Sequence, residues 1–275
     1  MYEIIDKKVL NSAVELMVVR APFVARRCEP GQFIILRVDE EGERVPFTIA
    51  DFNREDETVT IIYQIVGHTT EVLSSMKVGD KLCDFVGPLG KASELKKEER
   101  VLGIAGGLGA APLYPQIRKL REMGVECDII IGSRSEEFII LEESFRGLGC
   151  NISIATDDGS KGVKGFVTDI LKDKINQGIK YDSVIAIGPL IMMKAVVDIT
   201  KPLNIPTTVS LNPIMVDGTG MCGGCRVSVG DETKFACVDG PEFNGLLVDF
   251  DEVINRQGIY KKEEEHMCKI GLGGK

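Results

Sequence analysis

The tightest constraint on the chain is the stretch Asp217-Gly218-Thr219-Gly220-Met221-Cys222-Gly223-Gly224-Cys225, followed by Cys237. As spacing it reads D-x4-C-x2-C-x11-C. Three thiols and one carboxylate share a segment too rich in glycine to be a helix. A structural zinc site and an iron–sulfur cluster both use C-x2-C. The glycines favour the cluster. Cluster sulfides accept hydrogen bonds from backbone N–H groups, so bare backbone must curl around them. Gly218, Gly220, Gly223 and Gly224 supply that backbone, since glycine takes up positive φ without steric cost.

With 275 residues the chain has room for two domains and a small appendage. A net charge of −9 with no local basic stripe excludes a nucleic-acid partner. The start, Met1 to Asp6, has neither a basic nor an apolar region, so no signal peptide is expected. The most apolar run, Val184 to Val197, is interrupted by Gly188, Pro189 and Lys194, so no membrane span is expected. Eight cysteines without secretion signals suit a reducing cytoplasm. Cys28, Cys83, Cys127, Cys150 and Cys268 read as buried or incidental thiols. His68 and His266 are the only histidines, which leaves little material for imidazole chemistry.

Residues 1–97 alternate short apolar strands with turns: Tyr2–Val9, Ala13–Arg20, Phe33–Val38, Thr58–Val66 and Lys81–Val86. This spacing predicts a small antiparallel barrel. Between two strands lies Arg44-Val45-Pro46-Phe47-Thr48-Ile49, where an arginine, an aromatic ring and a hydroxyl can address one ligand together. Gly67-His68-Thr69-Thr70 precedes a short helix, Thr70–Met76, whose free N–H groups make an anion site; a plain N-cap by Thr69 or Thr70 is the simpler alternative. Gly87-Pro88-Leu89-Gly90 closes the last strand, and Ala92–Arg100 reads as a charged linker.

These motifs together resemble the flavin domain of the ferredoxin-NADP reductase superfamily. The resemblance implies FAD as cofactor. It assigns Arg44 to the FAD pyrophosphate, with Pro46 in the same motif, Phe47 to the isoalloxazine face and Thr48 to the neighbourhood of flavin N5. Gly67, Thr69 and Thr70 go to the phosphates. Many members carry tyrosine where Phe47 stands; phenylalanine keeps the stacking face and loses a phenolic hydrogen bond.

Residues 98–211 alternate strand and helix. Strands are predicted at Arg100–Ala105, Glu126–Ile131, Asn151–Thr156, Ser183–Ile187 and Thr207–Leu211. Helices are predicted at Pro112–Met123, Leu141–Arg146, Phe166–Asn176 and Leu190–Thr200. This predicts a five-stranded, doubly wound parallel sheet. Gly106-Gly107-Leu108-Gly109-Ala110-Ala111-Pro112 follows the first strand and suits a dinucleotide pyrophosphate at a helix start, with Pro112 at the first helical position. A tight turn with no ligand is the bland alternative. Asp157 and Asp158 would repel a 2′-phosphate and accept from ribose hydroxyls, which favours NAD(H), while Arg134 pulls the other way. Gly188 marks the crevice where a nicotinamide would lie.

Residues 212–275 then form the cluster region, a helical stretch Leu247–Asn255 and a charged tail, Lys261–Lys275. Over essentially its whole length the chain is similar to two families of flavin reductase with a C-terminal [2Fe-2S] loop. One comprises electron-transfer subunits of type B dihydroorotate dehydrogenase, with four cysteines. The other comprises small subunits of bifurcating NADH-dependent reduced ferredoxin:NADP oxidoreductases, with an aspartate and three cysteines. Asp217, Cys222, Cys225 and Cys237 match the second pattern. That resemblance implies a cytoplasmic heterodimer with a larger flavin and [4Fe-4S] subunit, NAD(H) as substrate of this chain, and NADP(H) and ferredoxin handled by the complex. No side chain is then needed as acid or base, because the cofactors carry the chemistry. The dihydroorotate route and a redox sensor without turnover are the alternatives.

Overall fold

The structure, a computed structural model, describes residues 1–259. The charged tail expected over 261–275, with His266 and Cys268, lies outside the described residues.

The first sheet contains β1 (Tyr2–Asn11), β2 (Val14–Arg20), β3 (Phe33–Arg37), β4 (Val45–Asn53), β5 (Thr58–Gln64), β6 (Lys81–Leu82) and β7 (Asp84–Leu89). All its pairings are antiparallel, in the order β6-β1-β2-β5-β4-β3-β7. The strand expected over Lys81–Val86 is split at Cys83. Its N–H donates to the carbonyls of Arg37 and Val38, both at 3.1 Å. The two outermost strands are therefore consecutive in sequence, and the sheet curls into a near-closed barrel. Ile34 and Leu36 of β3 point into the barrel core, while Phe33 and Ile35 point outward into a second apolar cluster. A strand covered on both faces reads as an unbroken apolar run, as Phe33-Ile34-Ile35-Leu36 does. Two short helices, α1 (Pro22–Ala25) and α2 (His68–Ser75), attach to the barrel.

The second sheet is built from β8 (Arg100–Gly106), β9 (Glu126–Ser133), β10 (Asn151–Thr156), β11 (Val163–Lys164), β12 (Ser183–Ile187) and β13 (Thr207–Ser210). Helices α3 (Ala110–Glu122), α4 (Glu142–Gly147), α5 (Val167–Asn176) and α6 (Leu190–Thr200) alternate with them. The five expected strands are present and parallel, in the order β10-β9-β8-β12-β13. The chain reverses direction of travel between β8 and β12, which opens a crevice at their carboxyl ends.

The remaining described strands and α-helices are β14 (Arg226–Val229), β15 (Glu232–Phe235), α7 (Ala236–Asp239), β16 (Glu242–Asn244) and α8 (Phe250–Gln257). The hairpin β14–β15 was not expected from the sequence, nor were the edge strands β11 and β16, which widen the five-stranded sheet to seven. β16 pairs antiparallel to β13, with Val209 opposite Phe243 and Ser210 opposite Glu242. The cluster region is thus knitted into the parallel sheet rather than appended to it. One apolar cluster runs from Phe33 and Ile35 of the barrel through β8, β12 and β13 to Cys225 and Cys237. No helix among the described residues is long and apolar enough to cross a membrane.

Candidate functional site

The cluster loop has a buried half and an exposed half. Cys225 and Cys237 are buried with their Sγ atoms 3.2 Å apart, and the Cys237 N–H donates to Cys225 Sγ at 3.4 Å. Cys222 is exposed and accepts from the Gly224 N–H at 3.4 Å. Backbone N–H groups aimed at sulfur are what cluster ligands require. The environments split the thiols. Burial, followed by the neighbouring Cys225 sulfur, pushes the Cys237 thiol up. The Gly224 N–H pulls Cys222 below its ordinary value. Gly218 has φ +80°, and a Cβ there would lie 2.9 Å from Ile35 Cγ1, so only glycine lets the loop lie on the barrel. Gly220 and Gly223 also have positive φ, as expected, whereas Gly224 does not.

Asp217 is folded back on its own loop. Its Oδ2 accepts from the Thr219 N–H at 2.8 Å, the Thr219 hydroxyl at 2.5 Å and the Met221 N–H at 3.2 Å. The Thr219 hydroxyl, those amides and, more weakly, Arg44 hold the carboxyl below its usual range. All three bonds fall on Oδ2, which keeps Oδ1 out of that turn. The donor set on offer is the close Cys225–Cys237 sulfur pair, with Cys222 and Asp217 on the same loop.

On the barrel, Thr48 is half-buried, whereas Phe47, the next residue of β4, belongs to the barrel core. The Phe47 ring meets Tyr63 edge-on at 5.9 Å, so strand alternation turns it away from the face Thr48 occupies. Arg44 is exposed just before β4, near enough to Asp217 to influence it, and Pro46 is half-buried. The start of α2 is capped reciprocally. Thr70 Oγ1 accepts from the Val66 and Gly67 N–H groups at 3.0 and 3.1 Å and donates to the Gly67 carbonyl at 2.8 Å. Thr70 therefore serves the helix cap, and Thr69 remains half-buried beside it. A Cβ on Gly67 would meet nothing within 4 Å, so this end of α2 is open.

A network unforeseen from the sequence holds the other end of α2. Lys7 Nζ donates to the Met76 carbonyl at 3.0 Å and to the Ser74 carbonyl, and pairs with Glu15 at 3.2 Å. Glu15 in turn accepts from the Tyr63 hydroxyl at 2.6 Å and the Ser74 hydroxyl at 2.9 Å. Lys7 carries no motif, and only its juxtaposition with α2 gives it a role.

At the β8–α3 turn a 3-10 turn over Gly107–Gly109 runs directly into α3, so the helix begins at Ala110 and Pro112 is its third residue, not its first. Proline is tolerated there because the first four N–H groups have no intrahelical acceptor. Gly107 has φ +53° and nothing within 4 Å of a Cβ, which leaves an open backbone face. Gly109 is the opposite case, since a Cβ would sit 2.1 Å from the Ile187 carbonyl oxygen. A Cβ on Gly188 would come within 3.0 Å of the Gly106 backbone, so these glycines let the β8 and β12 ends touch at the crevice. Arg134, Asp157 and Asp158 are exposed at the neighbouring ends of β9 and β10, where the Asp158 N–H donates to the Arg134 carbonyl at 3.2 Å. Asp158 Oδ1 accepts from the Ser160 hydroxyl at 2.7 Å and N–H at 2.9 Å, bonds that lower its pKa, whereas the Asp157 N–H donates to the Ser133 carbonyl at 3.1 Å.

A barrel joined to a parallel sheet of this strand order, with open backbone at α2 and at the crevice, defines a flavin-dependent oxidoreductase of the ferredoxin reductase type. Residues 212–249 match the iron–sulfur cluster binding domain of dihydroorotate dehydrogenase B. A Thermotoga maritima homologue of the dihydroorotate dehydrogenase B (NAD(+)) electron transfer subunit is 43% identical, over 96% of this chain and 93% of its own. An uncharacterized Clostridium beijerinckii protein is 53% identical, over 96% and 92%. Among solved structures, a chain of the NADH-dependent reduced ferredoxin-NADP oxidoreductase, described for flavin-based electron bifurcation, superposes with a TM-score of 0.93 at 41% identity, over 99% of this chain and 98% of that one. The chain belongs to the family of dihydroorotate dehydrogenase B electron-transfer subunits and their homologues.

Proposed function

We propose that the chain is the NAD(H)-linked subunit of an electron-bifurcating NADPH/ferredoxin/NAD transhydrogenase, working in the cytoplasm beside a larger flavin and [4Fe-4S] subunit. FAD would occupy the barrel domain, 1–97, NAD(H) the domain 98–211, and a [2Fe-2S] cluster the region from 212 onward. The observation that carries this reading is the superposition on the bifurcating oxidoreductase over 99% of the chain, cluster loop included.

When bound, the flavin and cluster would exchange a hydride with the nicotinamide and single electrons with the partner. The residues of this chain bind and orient. Thr48 would present its hydroxyl to the flavin edge, and the open end of α2 with Arg44 would receive phosphate oxygens. Gly107 would let the second pyrophosphate approach bare backbone, and the Gly106–Gly188 contact would shape the floor of the nicotinamide crevice. Cys222, Cys225, Cys237 and Asp217 Oδ1 would hold the cluster, the buried sulfur pair on the inner side.

The domain match to dihydroorotate dehydrogenase B favours a second reading, in which the partner is a pyrimidine-pathway flavoprotein and the complex reduces NAD+ with dihydroorotate. The native complex separates the two. Ferredoxin reduction by NADPH that depends on added NAD+ supports the transhydrogenase. Dihydroorotate-dependent NADH formation without it supports the alternative.

A further inference from the structure

Three segments that serve different cofactors meet at one carboxylate. Glu242 Oε1 accepts from Gln116 Nε2 at 2.6 Å and from the Ser93 hydroxyl at 3.0 Å. Ser93 lies in the linker leaving the barrel, Gln116 is on α3 behind the dinucleotide turn, and Glu242 opens β16, five residues after Cys237. The barrel closes the fourth side, because a Cβ on Gly31 would lie 3.0 Å from Glu242 Oε1.

The polar balance here is incomplete. Gln116 is fully buried, its Nε2 also donates to the Pro112 carbonyl at 3.3 Å, and its Oε1 has no donor among the described residues. A buried amide oxygen without a donor is costly, and a protonated Glu242 facing a rotated Gln116 amide would supply one. The neighbouring charges are engaged elsewhere. Lys91 pairs with Asp239 at 4.0 Å, Lys119 with Glu122 at 3.6 Å, Glu29 with Arg54 at 2.6 Å, and Arg118 with Asp51. Burial, opposed only by the two hydrogen bonds, raises Glu242 to about 7, inside the working range of a cytoplasmic enzyme.

Building on the NAD(H) reading above, we propose that Glu242 is a proton-controlled clasp that ties α3, and with it the dinucleotide turn, to the barrel linker and so sets NADH affinity. Ionised, it holds Ser93 and Gln116 by charge-assisted bonds and fixes the crevice. Protonated, it holds them by weaker neutral bonds and turns its hydroxyl to Gln116. Glu242 is a positioning residue, since it reaches the nucleotide only through α3.

The test is NADH binding to the assembled holo-complex between pH 5.5 and 8.5, for wild type, Glu242→Gln and Ser93→Ala, alongside infrared detection of a protonated carboxyl. Wild type should bind NADH up to about fivefold more tightly at the alkaline end, the difference between charged and neutral bonds at the clasp. Glu242→Gln should stay at the weaker affinity throughout and lose the carboxyl band. Ser93→Ala, which removes a donor to the ionised form, should move the midpoint to higher pH. A wild-type affinity independent of pH overturns the proposal. So does a Glu242→Gln profile matching wild type or, should that variant fail to fold, an unmoved midpoint in Ser93→Ala. Absence of any NADH binding would instead overturn the NAD(H) reading.

Discussion

At the scale of single residues, Asp217 decides most. If Asp217 is the first ligand, as proposed, a carboxylate there would change the hardness of the donor set and hence the potential. Asp217→Cys should keep a cluster with a shifted EPR signal and potential, and an unchanged signal would remove Asp217 from the ligand set. The specificity argument rests on exposed Asp157 and self-bonded Asp158. Asp157→Ala with Asp158→Ala should lower discrimination against NADPH, measured as the ratio of kcat/KM for NADH and NADPH; a ratio that stays put contradicts it. The aspartates and the proposed cluster ligands stand out in the sequence because ligand chemistry needs particular side chains at short spacing. Glu242 and Lys7 do not, since their partners, Gln116 and Ser93 in one case and Glu15 and the end of α2 in the other, are remote in sequence and meet only in the folded chain.

Among the elements, α2 and the β8–α3 turn carry the cofactor readings. Lys7 and Glu15, largely buried, hold the carboxyl-terminal end of α2 while the amino-terminal end stays open. Breaking a buried pair on one side costs about 3–5 kcal/mol. Lys7→Met should therefore lower stability by roughly that amount and weaken FAD retention, as read by denaturant unfolding and by flavin content after gel filtration. At the turn, Gly109→Ala should cost about 1–3 kcal/mol, because the methyl would collide with the Ile187 carbonyl and strand ends have little room to give. Periodicity placed the strands β8, β9, β10, β12 and β13 well, since continuous apolar runs are what a buried parallel sheet demands. It missed β16, three residues long, whose identity as a strand depends on β13 being beside it. It also started α3 too late, because a glycine turn running into a helix has no capping side chain to mark the join.

Over the whole molecule, charge and connectivity matter most. Two carboxylates inside the fold behave oppositely. Asp128 titrates low, because bonds from Tyr181 and Asn151, with Lys174 and Arg100 nearby, outweigh its burial. Its contribution is present above the unfolded value and lost in acid. Glu242 is the reverse case. Its folded value, about 7, exceeds the usual 4.5, so its contribution is greatest below 4.5 and is lost as pH rises through 7. At 1.36 kcal/mol per unit this amounts to at most about 3 kcal/mol. The melting temperature of wild type should fall by several degrees between pH 5.5 and 8.5, and Glu242→Gln should flatten that fall; parallel curves would mean that Glu242 is solvated. The barrel and the doubly wound sheet were foreseeable separately. Their fusion with the cluster region was not, because it is made by Phe33, Ile35, Cys225 and Cys237 sharing one apolar cluster.

The most direct test of the central claim is anaerobic isolation of the native complex, with partner mass, flavin and iron determined together. A larger partner bringing a further flavin and about eight more irons, as two [4Fe-4S] clusters would, is the expected result. A smaller partner with flavin and no added iron would contradict it and leave the chain serving dihydroorotate oxidation.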